Sequence, residues 1–119
     1  MKKVNAAECR EIIKNNPYVV VKFSSVGCGP CIILSKTINA MRDAFPNIRF
    51  LEIDAVADSE YAIEFDFRTV PHLFFAAHGS FLKDSMGVFR RLQGAADASI
   101  LREEFTRLQN ILVSDNQPV

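Results

Sequence analysis

The segment at residues 18–23, Y-V-V-V-K-F, constrains the fold more than any other stretch of the chain. Every position but Lys22 is β-branched or aromatic, and apolar and polar residues do not alternate. Such a run reads as a central strand covered on both faces, because a half-exposed strand would carry a polar residue at every second position. A strand of that kind needs a layer of structure above it and another below.

The neighbouring segments supply those layers. From residue 28 to 45 the apolar residues Cys31, Ile32, Leu34, Ile38, Met41 and Phe45 recur at helical spacing, with Pro30 in the first turn, where its missing N–H costs nothing. Residues 48–54, I-R-F-L-E-I-D, alternate as a second strand. Strand, helix, strand in this order implies a parallel crossover. Upstream, Asn5 and Glu8 have the spacing of a capping box ahead of apolar Ala6, Cys9, Ile12 and Ile13, which predicts a first helix stopping at Asn15-Asn16-Pro17.

Downstream, a short helix over 59–65 is predicted, with Asp58 as its cap and Tyr61, Ala62 and Phe65 on one side. Residues 69–77, T-V-P-H-L-F-F-A-A, read as a hydrophobic strand that turns at His78-Gly79-Ser80. A return strand is expected over 88–94, after a connection at 80–87 longer than a tight turn needs. The last helix runs from about 97 to 113, with Ile100, Leu101, Phe105, Leu108, Ile111 and Leu112 along one stripe. The expectation is an α/β chain: a mixed four-stranded sheet flanked by four helices in three α/β/α layers, with an antiparallel edge. A single domain over 1–113 is followed by a flexible tail at 114–119.

Charge removes several function classes. Fourteen basic residues balance fourteen acidic ones, so no electrostatic footprint for nucleic acid or an anionic membrane is present. The N-terminus turns polar after Lys2 and Lys3 instead of entering an apolar stretch, against the pattern of a signal peptide. The three cysteines are an odd count that fits a reducing compartment, and the cytoplasm is the expected location.

Chemistry concentrates at residues 26–31, V-G-C-G-P-C. A cysteine at the start of a helix lies near unpaired backbone N–H groups and the positive end of the helix dipole. Both favour thiolate, and such placement lowers a cysteine pKa to about 3.5–7.5. Cys31 is one turn further on, close enough to form a disulfide with Cys28. Cys28 is then the exposed nucleophile and Cys31 the buried resolving thiol, with Gly29 admitting a partner backbone and Pro30 stiffening the turn. The reaction is attack on a target disulfide, formation of a mixed disulfide and release by the second thiol. The competing reading is a structural zinc pair, which needs about four ligands. Only Cys9, His72 and His78 could join Cys28 and Cys31, and there is no second C-x-x-C. Dithiol exchange is the stronger reading, with no metal and no bound cofactor.

C-G-P-C after a central strand, I-D at 53–54, V-P at 70–71 and Gly94-Ala95 before the last helix together resemble the thioredoxin family over nearly the whole chain. The resemblance implies a cis peptide at Val70–Pro71 facing the dithiol, with Pro71 keeping metal from the sulfurs. It also implies that the Val70 backbone pairs with an incoming chain as an extra strand. The groove it implies is lined by Gly27, Ile53, Thr69, Val70 and Gly94, with Gln93 beside it. Its partners would be disulfide-containing protein substrates and a thioredoxin reductase-like electron donor, served by a monomer.

Several positions depart from the family pattern. Gly27 stands where Trp is usual, and Lys22 where a buried Asp relays a proton to and from the resolving thiol. Phe50 replaces the lysine that commonly partners that Asp, which leaves Lys22 alone. Lys22 either lies desolvated beneath the sulfurs, as a neutral base or a thiolate stabiliser, or snorkels to water; the rarity of unpaired buried lysines favours snorkelling. Lys36 replaces a mid-helix proline, so little kink is expected, and Ile32 and Ile33 follow Cys31 where a basic residue is frequent. His72 is expected to point away from the dithiol, and Cys9 into the core. A protein disulfide oxidoreductase is the leading reading. A non-catalytic binding module that keeps C-G-P-C is the alternative, favoured by the altered neighbours and the 80–87 extension.

Overall fold

The computed structural model describes residues 1–113. In chain order its elements are β1 (Lys2–Lys3), α1 (Ala6–Asn15), β2 (Tyr18–Ser24), α2 (Gly29–Met41), β3 (Ile48–Asp54), α3 (Glu60–Glu64), β4 (His72–Ala77), β5 (Ser80–Phe81), β6 (Arg91–Gln93) and α4 (Ala98–Gln109). The apolar run is the central strand. β2 is buried from Val19 to Ser24 and lies between β3, parallel, and β4, antiparallel. Register sets Tyr18 opposite Ile48 and Ala77, and Phe23 opposite Ile53 and His72.

Side-chain alternation along β2 feeds two cores. Val19, Val21 and Phe23 point to the face covered by Ala6, Cys9 and Ile13 of α1 and by Tyr61, Phe65 and Phe67. Val20 points to the other face, against Leu34, Ile38 and Met41 of α2 and Leu101, Phe105 and Leu108 of α4. The three layers follow. Among the described residues no helix is long and apolar enough to cross a membrane.

The sheet is larger than the four expected strands. β1 pairs parallel with Leu51 and Glu52 of β3, through backbone groups of two exposed lysines whose side chains give no strand signal. The expected return strand at 88–94 contracts to β6, paired with β4. Phe89 makes only an isolated bridge to Lys83, and β5 pairs with Ala76 and Ala77. The 80–87 extension is therefore an ordered hairpin, with Asp84 Oδ1 accepting the N–H groups of Met86 and Val88 at 2.8 and 3.0 Å.

Other boundaries move for local reasons. β4 begins at His72, not Thr69: Pro71 has no N–H to give a ladder, and pairing with β2 starts at His72 opposite Phe23. After Met41 one 3-10 turn, Arg42–Ala44, replaces the end of the long helix. Asp58 lies one residue ahead of the N-cap position, which Ser59 holds without a side-chain bond; its Oδ1 accepts the N–H of Glu60, the first residue of α3, at 3.4 Å, and its Oδ2 the Ala6 N–H of α1 at 2.7 Å. The Asn5–Glu8 capping box is present on α1, and Asp97 caps α4 through Ile100 N–H. α4 stops at Gln109, short of Leu112, which is exposed; Ile100, within the helix, is exposed as well. The tail expected at 114–119 lies outside the described residues.

His72 is buried at the start of β4, its ring stacked on Phe67 with centroids 4.9 Å apart. Its Nδ1 sits 2.6 Å from the Thr69 carbonyl oxygen, which can only accept, so the proton is on Nδ1. Burial, reinforced by the nearby Arg91 charge, pushes the imidazole below its ordinary value despite that hydrogen bond. The folded state therefore holds His72 neutral while the unfolded chain takes up a proton, and stability falls as pH drops below about 6.5. In urea titrations at stepped pH, wild type should lose stability over that range and His72→Phe should not; a flat wild-type curve down to the carboxylate range contradicts the buried neutral ring.

Phe105 is wholly buried and packs edge-to-face on Phe45 and Phe50, which joins α4 to the sheet. Phe105→Ala should cost about 3–5 kcal/mol in guanidinium unfolding, and exposed Ile100→Ala no more than about 0.5 kcal/mol. Equal losses would place the stripe of α4 on the wrong face.

Candidate functional site

The site begins with the capping chemistry of α2. The first turn of any helix has backbone N–H groups without carbonyl partners. Cys28 is the N-cap, extended at φ −85°, ψ 106°, and its Sγ accepts the Cys31 N–H at 3.2 Å. Pro30, in the same turn, has no N–H to satisfy. Cys28 and Cys31 are joined in a disulfide, their Cα atoms 5.2 Å apart. Cys31 is only 3% exposed and Cys28 is half-buried, so one sulfur can be reached from outside and the other lies beneath it. Gly27 takes φ +76°, in the left-handed region that a side chain with a Cβ disfavours, and a Cβ there would touch nothing. The open approach to Cys28 is thus written into the backbone.

The facing wall comes from the loop before β4. Val70–Pro71 is cis, and the Val70 carbonyl oxygen lies 4.0 Å from Cys28 Sγ. Pro71 is buried and its carbonyl accepts the Gly94 N–H at 2.8 Å; Gln93 Nε2 donates to Thr69 Oγ1 at 3.2 Å. These two bonds tie the end of β6 and the residue after it to the loop before β4. The Val70 N–H takes no partner among the described residues, which leaves it free to pair with another chain. Val70 thus faces Cys28, and Thr69, Gln93 and Gly94 are bonded into the same wall. Ile53 is not part of it: it is wholly buried in the core with Val21 and Phe23, because odd-numbered positions of β3 at that register face α1. Val26, Ile32 and Ile33, which flank the dithiol in the chain, are exposed, and Val26 and Ile32 share a cavity wall with Cys31.

Lys22 departs most from expectation. It does not snorkel and it is not alone: 1% exposed, its ammonium lies 2.6 Å from Glu52 Oε2. Parallel register sets Lys22 directly opposite Glu52, two residues beyond Phe50 on the same face of β3. Lys22 Nζ also donates to Ser24 Oγ and Ser35 Oγ, each at 2.7 Å, and Ser24 Oγ donates to Glu52 Oε2 at 2.9 Å. Burial pushes the Glu52 carboxyl up, but the hydrogen bonds from Lys22 and Ser24 and the Lys22 charge outweigh it and leave the group below its ordinary value. A cavity of about 860 Å³ brings Cys31, Lys22, Ser35 and Glu52 onto common walls. Glu52, Ser24 and Ser35 were missed in the sequence. The signal available was a pair of opposite charges, Lys22 and Glu52, at matching register on two neighbouring strands.

The residues that would have completed a zinc set are turned to other partners. Cys9 is in the core beneath Tyr61, where burial pushes its thiol up to about 11. His72 faces the Thr69 carbonyl, and His78 Nε2 lies 2.8 Å from the Ile111 carbonyl oxygen.

Known proteins are similar to this chain in sequence and in fold. The Thioredoxin family model matches residues 1–100. Thioredoxin-2 of Pyricularia oryzae is 29% identical over 83 residues, which cover 70% of this chain and 48% of that protein. The mitochondrial Thioredoxin-3 of Saccharomyces cerevisiae is 27% identical over 86 residues, 72% of this chain and 68% of that one. The chain thus spans about half to two thirds of these curated relatives. The crystal structure of oxidized mitochondrial thioredoxin 3 from Saccharomyces cerevisiae aligns with a TM-score of 0.77 at 24% identity, covering 91% of this chain and 95% of that one. With a dithiol capping its helix, a cis-proline loop facing it and a family model spanning both, the chain belongs to the thioredoxin family.

Proposed function

We propose that this chain is a protein disulfide oxidoreductase that exchanges the Cys28–Cys31 dithiol with disulfides in other proteins. The observation that carries the reading is the placement of one accessible sulfur at a helix N-cap, 4.0 Å from the Val70 carbonyl. Thiolate character at Cys28 is favoured by the helix dipole and the first-turn N–H groups. A substrate segment pairing with the free Val70 N–H would lie along the cis-proline loop and bring its disulfide over Cys28.

In the reducing direction the Cys28 thiolate attacks one sulfur of the substrate disulfide. The substrate S–S bond breaks, one substrate sulfur leaves as thiolate, and a mixed disulfide forms. Cys31 then loses its proton and attacks Cys28 Sγ. The Cys28–substrate bond breaks toward the substrate sulfur, and the Cys28–Cys31 disulfide remains. Two electrons pass to the substrate, and a reductase-like donor must return them. The redox-active disulfide itself is the only redox group the cycle uses. The odd cysteine count supports a reducing, cytoplasmic setting, and the likeness to thioredoxins supports a monomer as the working form. Gly27 and the exposed apolar side chains of Val26, Ile32 and Ile33 support access for folded protein substrates of varied shape.

Insulin reduction by dithiothreitol tests the reading. Wild type should accelerate it well beyond the uncatalysed rate, Cys28→Ser should abolish the acceleration, and Cys31→Ser should trap a mixed disulfide at Cys28. A wild type no faster than Cys28→Ser would leave the chain a binding module that keeps an idle dithiol.

A further inference from the structure

The α2 face of the sheet is apolar through Val20, Ile48, Phe50, Leu73 and Phe75, and then carries charge at Lys22 and Glu52. Replacing a buried ion pair with packed apolar residues is often neutral or stabilising, so stability alone does not account for this one. Its orientation is specific. An ammonium has three N–H donors, and Lys22 uses all of them, on Glu52, Ser24 and Ser35. Ser35 lies one helical turn beyond Cys31, on the same face of α2. The cation is therefore tied to the helix that carries the dithiol, while the carboxylate is held on the strands, by Lys22 and by Ser24.

The cavity behind Cys31 opens past this pair. Its other charged walls are Lys3 of β1, Glu8 of α1, Lys36 of α2, Asp54 of β3 and Asp58 after it. The acids among them are engaged: Glu8 in the capping box, Asp54 with the Val56 and Ala57 N–H groups, and Asp58 with Ala6 N–H. Glu52, ionised and held by Lys22, is a poor acceptor for a thiol proton at neutral pH.

We infer that the Lys22–Glu52 pair, oriented with its cation toward α2, sets the redox poise of Cys28–Cys31 by stabilising the reduced, thiolate form. Lys22 acts as a positioning residue. The inference rests on the dithiol-exchange reading above and assigns its regulation to residues outside the motif. In the release step Cys31 S–H gives its proton to water admitted through the cavity, and its thiolate attacks Cys28 Sγ. The substrate sulfur leaves with the bond's electron pair and takes a proton from water, so one disulfide forms as one breaks. No buried acid takes part.

The test is the equilibrium of the dithiol with glutathione redox buffers at neutral pH, read by thiol alkylation. Lys22→Met removes the cation and should shift the equilibrium constant toward the disulfide, by about tenfold or about 30 mV for a two-electron couple. Glu52→Gln leaves the cation without its counter-charge and should shift it toward the dithiol. The double exchange K22E/E52K keeps an ion pair, guards against loss of folding in the single variants, and should move in the direction of Lys22→Met. A structural role would move both single variants the same way or neither. Shifts in one common direction, in the reverse directions, or within about twofold overturn the inference. A wild-type pair that never equilibrates with the buffer overturns the oxidoreductase reading instead.

Discussion

The first turn of α2 has backbone N–H groups with no carbonyl to receive them, and the sulfur of Cys28 is placed to serve one. Much of the structure holds that helix end in position. β2, buried over six residues, delivers the chain to Ser24, and Gly27 in the left-handed region turns it into the helix. Leu34, Ile38 and Met41 fix the helix against the sheet and α4. Across the gap, the Pro71 and Thr69 bonds to the end of β6 and the residue after it hold the Val70 carbonyl opposite the sulfur. A cap that in another protein would be Ser or Asp, serving only the helix, is here a reactive group.

Beneath this surface the molecule carries a second arrangement. The Lys22–Glu52 pair interrupts an apolar layer at the one level of the sheet that backs the dithiol. Ser24 and Ser35 complete its hydrogen bonding, which makes a buried pair tolerable. Front and back of the disulfide are thus governed separately: the groove selects how a partner approaches, and the pair acts on the charge of the sulfurs.

Most of this was legible in the sequence where one physical cause dominates. The period of apolar residues locates the three long strands and the helices, the cysteine spacing fits the Cys28–Cys31 disulfide, and the family resemblance fits the cis Val70–Pro71 bond. The features that escaped depend on pairing between distant segments. β1 is made by backbone bonds to β3 and has no side-chain pattern of its own. Ile53, the first residue of I-D, belongs to the groove by the family resemblance, but the pleat turns it into the opposite core. Lys22 looked solitary because the residue matched to it by family position is Phe50, whereas the parallel register brings Glu52 against it. Register is the information a single strand does not carry.

The account turns on Cys28 being a thiolate poised by its helix end. In the reduced protein, the pH dependence of iodoacetamide alkylation, with the adduct located on Cys28 by mass spectrometry, measures this directly. The predicted apparent pKa is below about 7.5. A value at or above the free-thiol figure of about 8.5 would contradict the account.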